Sequence, residues 1–447
     1  MIKDLTVGNP GSVLWRFSAP MFVGVIFQQI YNIADSVIAG RFAGEDALAA
    51  VGASYPITMI FMAIAIGSQI GCTIVVSQLF GAKRYRDLKS AVSTAMISGL
   101  VLSSLLLVVG LLTSREMMIL VNTPDNIFAD GALYLRIYIG GFIFLFLYNV
   151  ATGIFNSLGD SRTPLYFLIA SSVANIFLDW LFVAVFYMGV AGVAWATFLA
   201  QGAACILSLL VLKKRVGEIR TEGKIPLFRF QDLKKIAAVA VPSILQQSFI
   251  SVGNMCVQGL INSYGSSVIA GYSAAIKLNT FTITCFTTLG NSVSSFTAQN
   301  IGAGKTDRVK SGFKTGVLLA MGFAAAAFVI LFVFGGQCLN MFMNEESTQL
   351  ARDTGVIFFK IVTPFYFLIC IKLISDGVLR GSGCMGQFMV STFADLLLRV
   401  VLAFVFASFW GSAGIWISWP AGWVIGTGIS FAFYKKGNWK RQFDKRP

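Results

Sequence analysis

The chain alternates long apolar stretches with short polar breaks almost from end to end. Twelve stretches of at least 20 mostly apolar residues fall at about 15–40, 48–79, 91–113, 132–157, 164–187, 191–213, 236–262, 267–300, 312–335, 353–380, 387–409 and 412–434. As a helix, each is long enough to cross a hydrocarbon layer roughly 30 Å thick. Backbone amides in lipid must be satisfied within their own segment, and a barrel strand needs only about ten alternating residues, so the pattern predicts an all-α integral membrane protein.

Composition agrees with that class. Hydrophobic residues make up 56% of the 447 residues and charged residues 12%, with mean hydropathy +0.76. Soluble domains carry about a quarter charged residues. The lipid bilayer is therefore the expected surrounding.

The net charge of +14 raises nucleic acid as a partner, but the placement of the basic residues argues against it. All but eight of the 34 Lys and Arg lie in the tails and the even-numbered connections, among them Lys83, Arg84, Arg86, Lys89 and the run from Lys213 to Lys235. Arg41, Arg115, Arg136 and Arg352 lie at the odd connections, and Lys277, Lys360, Lys372 and Arg399 inside the spans. By the positive-inside rule both termini face the cytoplasm of a multi-pass inner (plasma) membrane protein. The charged stretch 214–235, with Gly223 and Pro226, reads as a hinge-like linker between an N-lobe, 1–213, and a C-lobe, 236–447, that ends in a basic tail. Lys3 precedes no short apolar stretch with a cleavage site, so no removable signal peptide is expected.

Enzyme chemistry finds few parts. There is no histidine, which removes imidazole ligation and every His-dependent triad. Cys72, Cys205, Cys256, Cys285, Cys338, Cys370 and Cys384 form no C-x-x-C pair and lie mostly within spans. Gly304-Lys305-Thr306 resembles the end of a phosphate loop, but Gln299 stands where its leading glycine belongs. No enzyme activity, cofactor or structural metal is expected.

Shifting the chain against itself by about 222 residues aligns a series of landmarks. Pro20 meets Pro242, and Gly44-x-x-x-Leu48-Ala49 meets Gly265-x-x-x-Ile269-Ala270. Gln78-x-x-Gly81-Ala82 meets Gln299-x-x-Gly302-Ala303, and Tyr134-Leu135-Arg136-Ile137 meets Phe358-Phe359-Lys360-Ile361. Gly153-x-x-Asn156-x-x-Gly159 meets Gly377-x-x-Arg380-x-x-Gly383. Six helices per half is an even number, so both halves enter from the same side. The expected fold is twelve transmembrane helices in two pseudo-twofold-related six-helix lobes, parallel repeats of a transporter type.

Four acids lie within the spans: Asp35, Asp179, Asp376 and Asp395. A carboxylate there costs about 2.5 to 3.5 kcal/mol on insertion scales, so each should face the bundle interior. Counting rise per residue from the expected outer ends, Asp35 lies about 8 Å deep, Asp179 about 12 Å, Asn175 about 18 Å and Thr197 about 9 Å. Asn175 and Asp179 share one helix face. With Asp35 and Thr197 they offer several oxygens to a small hard cation, or the two carboxyls share one proton. The bland alternative is that both acids are inert and merely hydrogen-bond neighbouring helices.

Elsewhere, Lys372 with Asp376 and Asp395 with Arg399 are four apart and suit neutralising ion pairs. Lys277 stands alone, either snorkelling or attracting anionic groups. Gln28 and Tyr31 lie on the face of Asp35, Gln201 one turn beyond Thr197, and Asn149 on the fourth helix, so these four are candidates to line a substrate cavity. Phe at 40 positions and Met at 14 suit an adaptable apolar pocket, though most of the Phe faces lipid or core.

The run from Pro20 to Gly40 with Asp35, the two Gln-x-x-Gly-Ala signatures, the Leu-Gly-Asp-Ser-Arg-Thr-Pro stretch at 158–164 and Asn175-x-x-x-Asp179 together resemble the multidrug and toxic compound extrusion (MATE) family, over essentially the whole chain. The resemblance implies two lobes and antiport of small organic molecules, cationic or amphiphilic, for H⁺ or Na⁺, with Asp35, Asn175, Asp179 and Thr197 in the coupling positions. The C half departs from that pattern: Cys256 or Val257 opposes Asp35, Ala403 lies near the place of Asp179, and Ile250 near one acid of the NorM-like branch. The chain is thus more similar to the DinF-like branch, with no coupling ion expected in the C-lobe. A monomer is expected. In the implied cycle, occupancy of the Asp35 site repacks the first helix near Pro20, which removes one backbone hydrogen bond, and the lobes rock about 214–235. Two rivals remain open: a flippase for a lipid-linked precursor, in which Lys277, Lys372 and Arg399 would neutralise a pyrophosphate, and a non-transporting membrane scaffold.

Overall fold

The computed structural model describes residues 3–341 and 348–440, so the end of the basic tail, 441–447, lies outside the described residues. Fourteen α-helices follow one another: α1 (Pro10–Ile38), α2 (Glu45–Gly81), α3 (Tyr85–Leu120), α4 (Asp125–Ser157), α5 (Arg162–Asp179), α6 (Gly189–Glu218), α7 (Phe230–Asn262), α8 (Ser266–Gly302), α9 (Thr306–Phe328), α10 (Gly335–Asn340), α11 (Gln349–Val362), α12 (Tyr366–Gly381), α13 (Met385–Trp410) and α14 (Ser412–Lys436). Turns of π-helix extend α1 (Ala39–Ala43) and α5 (Trp180–Val185) and join α9 to α10 (Val329–Val333). A single 3-10 turn, Thr363–Phe365, joins α11 to α12, at Pro364, which has no N–H to continue an α ladder. Traced through these joints, the helices form twelve rods, and the described residues contain no strand. Ten rods are long and apolar enough to cross a membrane by length and composition. The other two are α8, rich in Ser, Thr and Asn, and α14, rich in Gly and Trp.

The internal repeat is visible in the backbone. Gly44 and Gly265 precede α2 and α8 at φ 94° and 89°, and both helices are 37 residues long. The turn after α4 closes with Asp160 N–H on the Phe155 carbonyl, and the turn after α12 with Cys384 N–H on Leu379. Gly159 (φ 73°) and Gly383 (φ 79°) supply the left-handed residue in those turns, a conformation that a side chain would strain.

Contacts divide the chain into two units. Unit 1 comprises Met1–Asp4 and Ala19–Ser248, and unit 2 comprises Leu5–Ser18 and Phe249–Pro447. The expected boundary lay in 214–235, whereas these divisions fall inside α1 and α7. The expected hinge-like linker also differs from what is observed. Residues 214–218 continue α6, where Arg215 pairs with Glu218 at 3.3 Å, and 230–235 already belong to α7, so the non-helical connection is 219–229. It is tied to α3 rather than free. Arg86 Nε donates to the Lys224 carbonyl at 3.2 Å, Arg229 N–H to Thr94 Oγ1 at 3.0 Å, and the Arg229 guanidinium pairs with Asp87 at 2.8 Å. Ser90 on α3 donates to Asp232 at 2.9 Å.

Within unit 1, α2 packs along α4, where a Cβ on Gly153 would stand 2.7 Å from the Gln69 carbonyl oxygen. Such glycines let backbones approach closely where lipid supplies no hydrophobic drive between helices. The aromatic core there includes Phe61 and Phe142, edge to face at 4.9 Å. In unit 2, Tyr272 stacks on Trp416 at 4.9 Å, with Phe358 against both.

Candidate ion-coupling site

Asp35 lies one turn before the π segment that ends the first rod, and Asp179 is the last α-helical residue before the π segment of the fifth. The two π segments pack together, with Ile38, Ala43 and Tyr134 closing over Val183 and Val193. π turns widen the helix by one residue and recur at functional sites. Here they follow directly on the two carboxyl-bearing turns.

The carboxyls of Asp35 and Asp179 are close enough to interact with each other. An ionised carboxylate only accepts, so two neighbouring carboxyls are eased by a proton or a cation between them. Asp179 is fully buried and Asn175 is 2% exposed. In the amide orientation that satisfies its neighbours, Asn175 donates to Asp179 Oδ2 at 3.0 Å and accepts from Thr197 N–H at 3.1 Å. The Tyr31 hydroxyl lies beside the Thr197 side chain. One oxygen of each carboxyl, Oδ1 of Asp35 and of Asp179, is buried without a hydrogen-bond partner. Four helices, α1, α4, α5 and α6, thus surround a pair of carboxyls whose remaining acceptor capacity is unused. Such oxygens, with the Asn175, Thr197 and Tyr31 oxygens nearby, fit a proton or a small hard cation.

The expected cavity residues are distributed unevenly. A small cavity beside the pair is lined by Tyr134, Tyr138, Thr197, Phe198 and Gln201. Gln201 therefore reaches it, and Tyr31 reaches Thr197. Gln28 is exposed on α1, away from that lining, and Asn149 spends its amide on the Leu145 carbonyl of its own helix at 2.8 Å. Tyr134 is a site neighbour that the sequence pattern marks only as a repeat landmark.

Unit 2 has Val257 buried, Cys256 exposed and Ala403 buried at the places opposite the unit 1 acids. Its own charges cluster elsewhere. Lys372 Nζ lies 2.9 Å from Asp376 Oδ2, the expected pair, and also 3.5 Å from Asp395 Oδ2. The expected Asp395–Arg399 ion pair does not form. Asp395 turns from α13 to Lys372 on α12, while Arg399 donates to Asn254 Oδ1 on α7 at 3.0 Å and lies 4.6 Å from the Trp419 ring centroid. Spacing of four puts two side chains on one face, but the facing helices decide which partner each finds. Lys277 is exposed on α8 and engaged in an interaction. Arg380, buried and bonded to Asn291, is a further charge of this unit. Its signal was its position opposite Asn156 in the repeat.

A MatE family profile matches residues 20–181 and 242–405, one segment in each half. The chain is 28% identical over 438 residues to "Probable multidrug resistance protein YpnP" of Bacillus subtilis (strain 168), covering 98% of this chain and 97% of that one. It is likewise 28% identical over 436 residues to "Probable multidrug resistance protein YoeA" of the same strain, covering 94% of each. A crystal structure of "MATE in complex with MaL6" superposes with a TM-score of 0.91 over 97% of both chains at 22% identity, a likeness of fold.

Proposed function

The chain belongs to the MatE family, and from that premise we propose that it is an antiporter of the plasma membrane that exports small organic molecules, cationic or amphiphilic, against inflowing H⁺ or Na⁺. The observation that carries the coupling half of this reading is the Asp35–Asp179 carboxyl pair, enclosed by four helices with one oxygen of each left unpartnered. Buried acids in a membrane bundle are rare and mark ion pathways. Ion and drug compete through α1. The ion binds at Asp35, and α1 carries Pro20, which leaves one carbonyl without its ladder bond and lets the helix repack at low cost. Coupling then equals the difference in ion affinity between two packings. The protein works as a monomer with both termini cytoplasmic and needs no cofactor. The missing acids of unit 2, where Val257, Ala403 and Ile250 stand, support placement nearer the DinF-like than the NorM-like branch.

The test is dye efflux from proteoliposomes under separately imposed sodium and pH gradients. Wild type should expel a cationic dye under one of them, and Asp35→Asn should lose gradient-driven efflux while remaining folded in the membrane. Gradient-driven efflux by Asp35→Asn at the wild-type rate would remove the site assignment.

A further inference from the structure

Ion coupling in unit 1 leaves the buried charges of unit 2 without a role. Five sit on two neighbouring helices: Lys372, Asp376 and Arg380 on α12, Asp395 and Arg399 on α13, none more than 7% exposed. Three are cations and two are anions, so the cluster carries an excess of positive charge. Both carboxylates are committed to Lys372, at 2.9 and 3.5 Å. Asp376 also accepts from Ser391 and Ser430. The two guanidiniums have no salt bridge to a described carboxylate, and each keeps a buried Nε–H without an acceptor.

Arg399 is the one that meets an accessible polar surface. Its Nη2 donates to Asn254, which is exposed, and its Cζ lies 4.6 Å from the Trp419 ring centroid. Asn254 is eight residues from the end of α7 and Arg399 eleven from the end of α13, depths of about 12 and 16 Å. An exposed amide bonded to a guanidinium so far inside the span suits a water-accessible face rather than lipid, because hydrocarbon would leave the further donors of both groups unsatisfied. Asp395 cannot turn back to Arg399 cheaply, since α14 approaches it closely: a Cβ on Gly422 would stand 2.7 Å from its Oδ1.

We propose that Arg399, steadied by Asn254 and Trp419, is a recognition point for an organic anion, the carboxylate or phosphate group of a transported amphiphile. The guanidinium offers a planar fork of donors that matches such groups two at a time, which a point charge such as lysine cannot do. This site rests on the export reading above and extends its substrates to molecules that carry a negative group.

The experiment compares rhodamine 110, a free carboxylate, with its methyl ester rhodamine 123, on the full chain in nanodiscs. Binding is read by fluorescence polarisation for wild type, Arg399→Gln and Arg399→Lys, with melting curves confirming folded protein. Arg399→Gln should weaken the acid about tenfold more than the ester, and Arg399→Lys should fall between. Equal weakening of both dyes, or no weakening of the acid, overturns the proposal. Repeating the series in phosphatidylcholine discs with and without phosphatidylglycerol identifies the source. An Arg399-dependent preference that survives the anionic lipid marks a soluble substrate, and one that the lipid abolishes marks a lipid headgroup, both on an anion site. If wild type expels rhodamine 123 but the acid ignores Arg399, this inference falls and the export reading stands. If wild type binds neither dye and expels neither under any gradient, both fall.

Discussion

Replacing Lys372 by methionine would take away the cation that two buried carboxylates share while keeping nearly the same volume. Lys372 Nζ is 2.9 Å from Asp376 and 3.5 Å from Asp395, and all three residues are less than 7% exposed. Removing one partner of a buried ion pair costs about 3–5 kcal/mol, because the remaining charge is left without compensation. Asp376 keeps its bonds from Ser391 and Ser430, so the exposed weakness is Asp395, whose Oδ1 already lacks a partner. The expected loss is therefore near the lower end, about 3 kcal/mol. Neutralising both acids in the triple variant Lys372→Met/Asp376→Asn/Asp395→Asn should recover about half or more of it, because the penalty is one of uncompensated charge rather than lost packing. The assay is reversible unfolding in mixed micelles followed by circular dichroism. A single variant that loses less than about 1 kcal/mol, or a triple variant no more stable than the single, would refute the assignment of Lys372 as the cation that neutralises this site.

Three further substitutions test the packing and the carboxyl site. Gly426→Ala should destabilise by about 1–3 kcal/mol in the same unfolding assay, since its Cβ would meet the Asp395 Cβ and Lys372 Cε at 2.8 Å. Gly428→Ala, which meets nothing within 4 Å, should be neutral. Asn175→Ala removes the donor to Asp179 Oδ2 and should lower stability by about 1–3 kcal/mol, read by melting. It should also change the ion dependence of efflux, and unaltered melting and ion dependence would show that the amide plays no part in the site.

What could be read from the chain itself was whatever depends on neighbours along it. Helix length, the need of lipid-embedded amides for local partners and the fixed face of residues four apart are local properties. They located the long rods, the duplicated halves, the shared face of Asn175 and Asp179, and the Lys372–Asp376 pair. They also singled out Asp35 and Asp179 as acids at similar depth, because depth along a helix is a count of residues.

Rotation of one helix against another is not a local property, and there the tertiary structure decided. Asp395 was equally placed to meet Arg399 on its own helix, but α12 brings Lys372 and α14 closes over the other side. Arg399 was turned instead to Asn254 and Trp419 on two other helices. Tyr134 entered the carboxyl site for the same reason. The stretch 214–235 reads as a flexible link because it is charged and contains Gly and Pro, yet Arg86, Thr94 and Asp87 hold it to α3 through partners more than a hundred residues away. Side-chain pairing across helices is settled by packing that no single segment encodes, so these contacts became visible only once the helices were assembled.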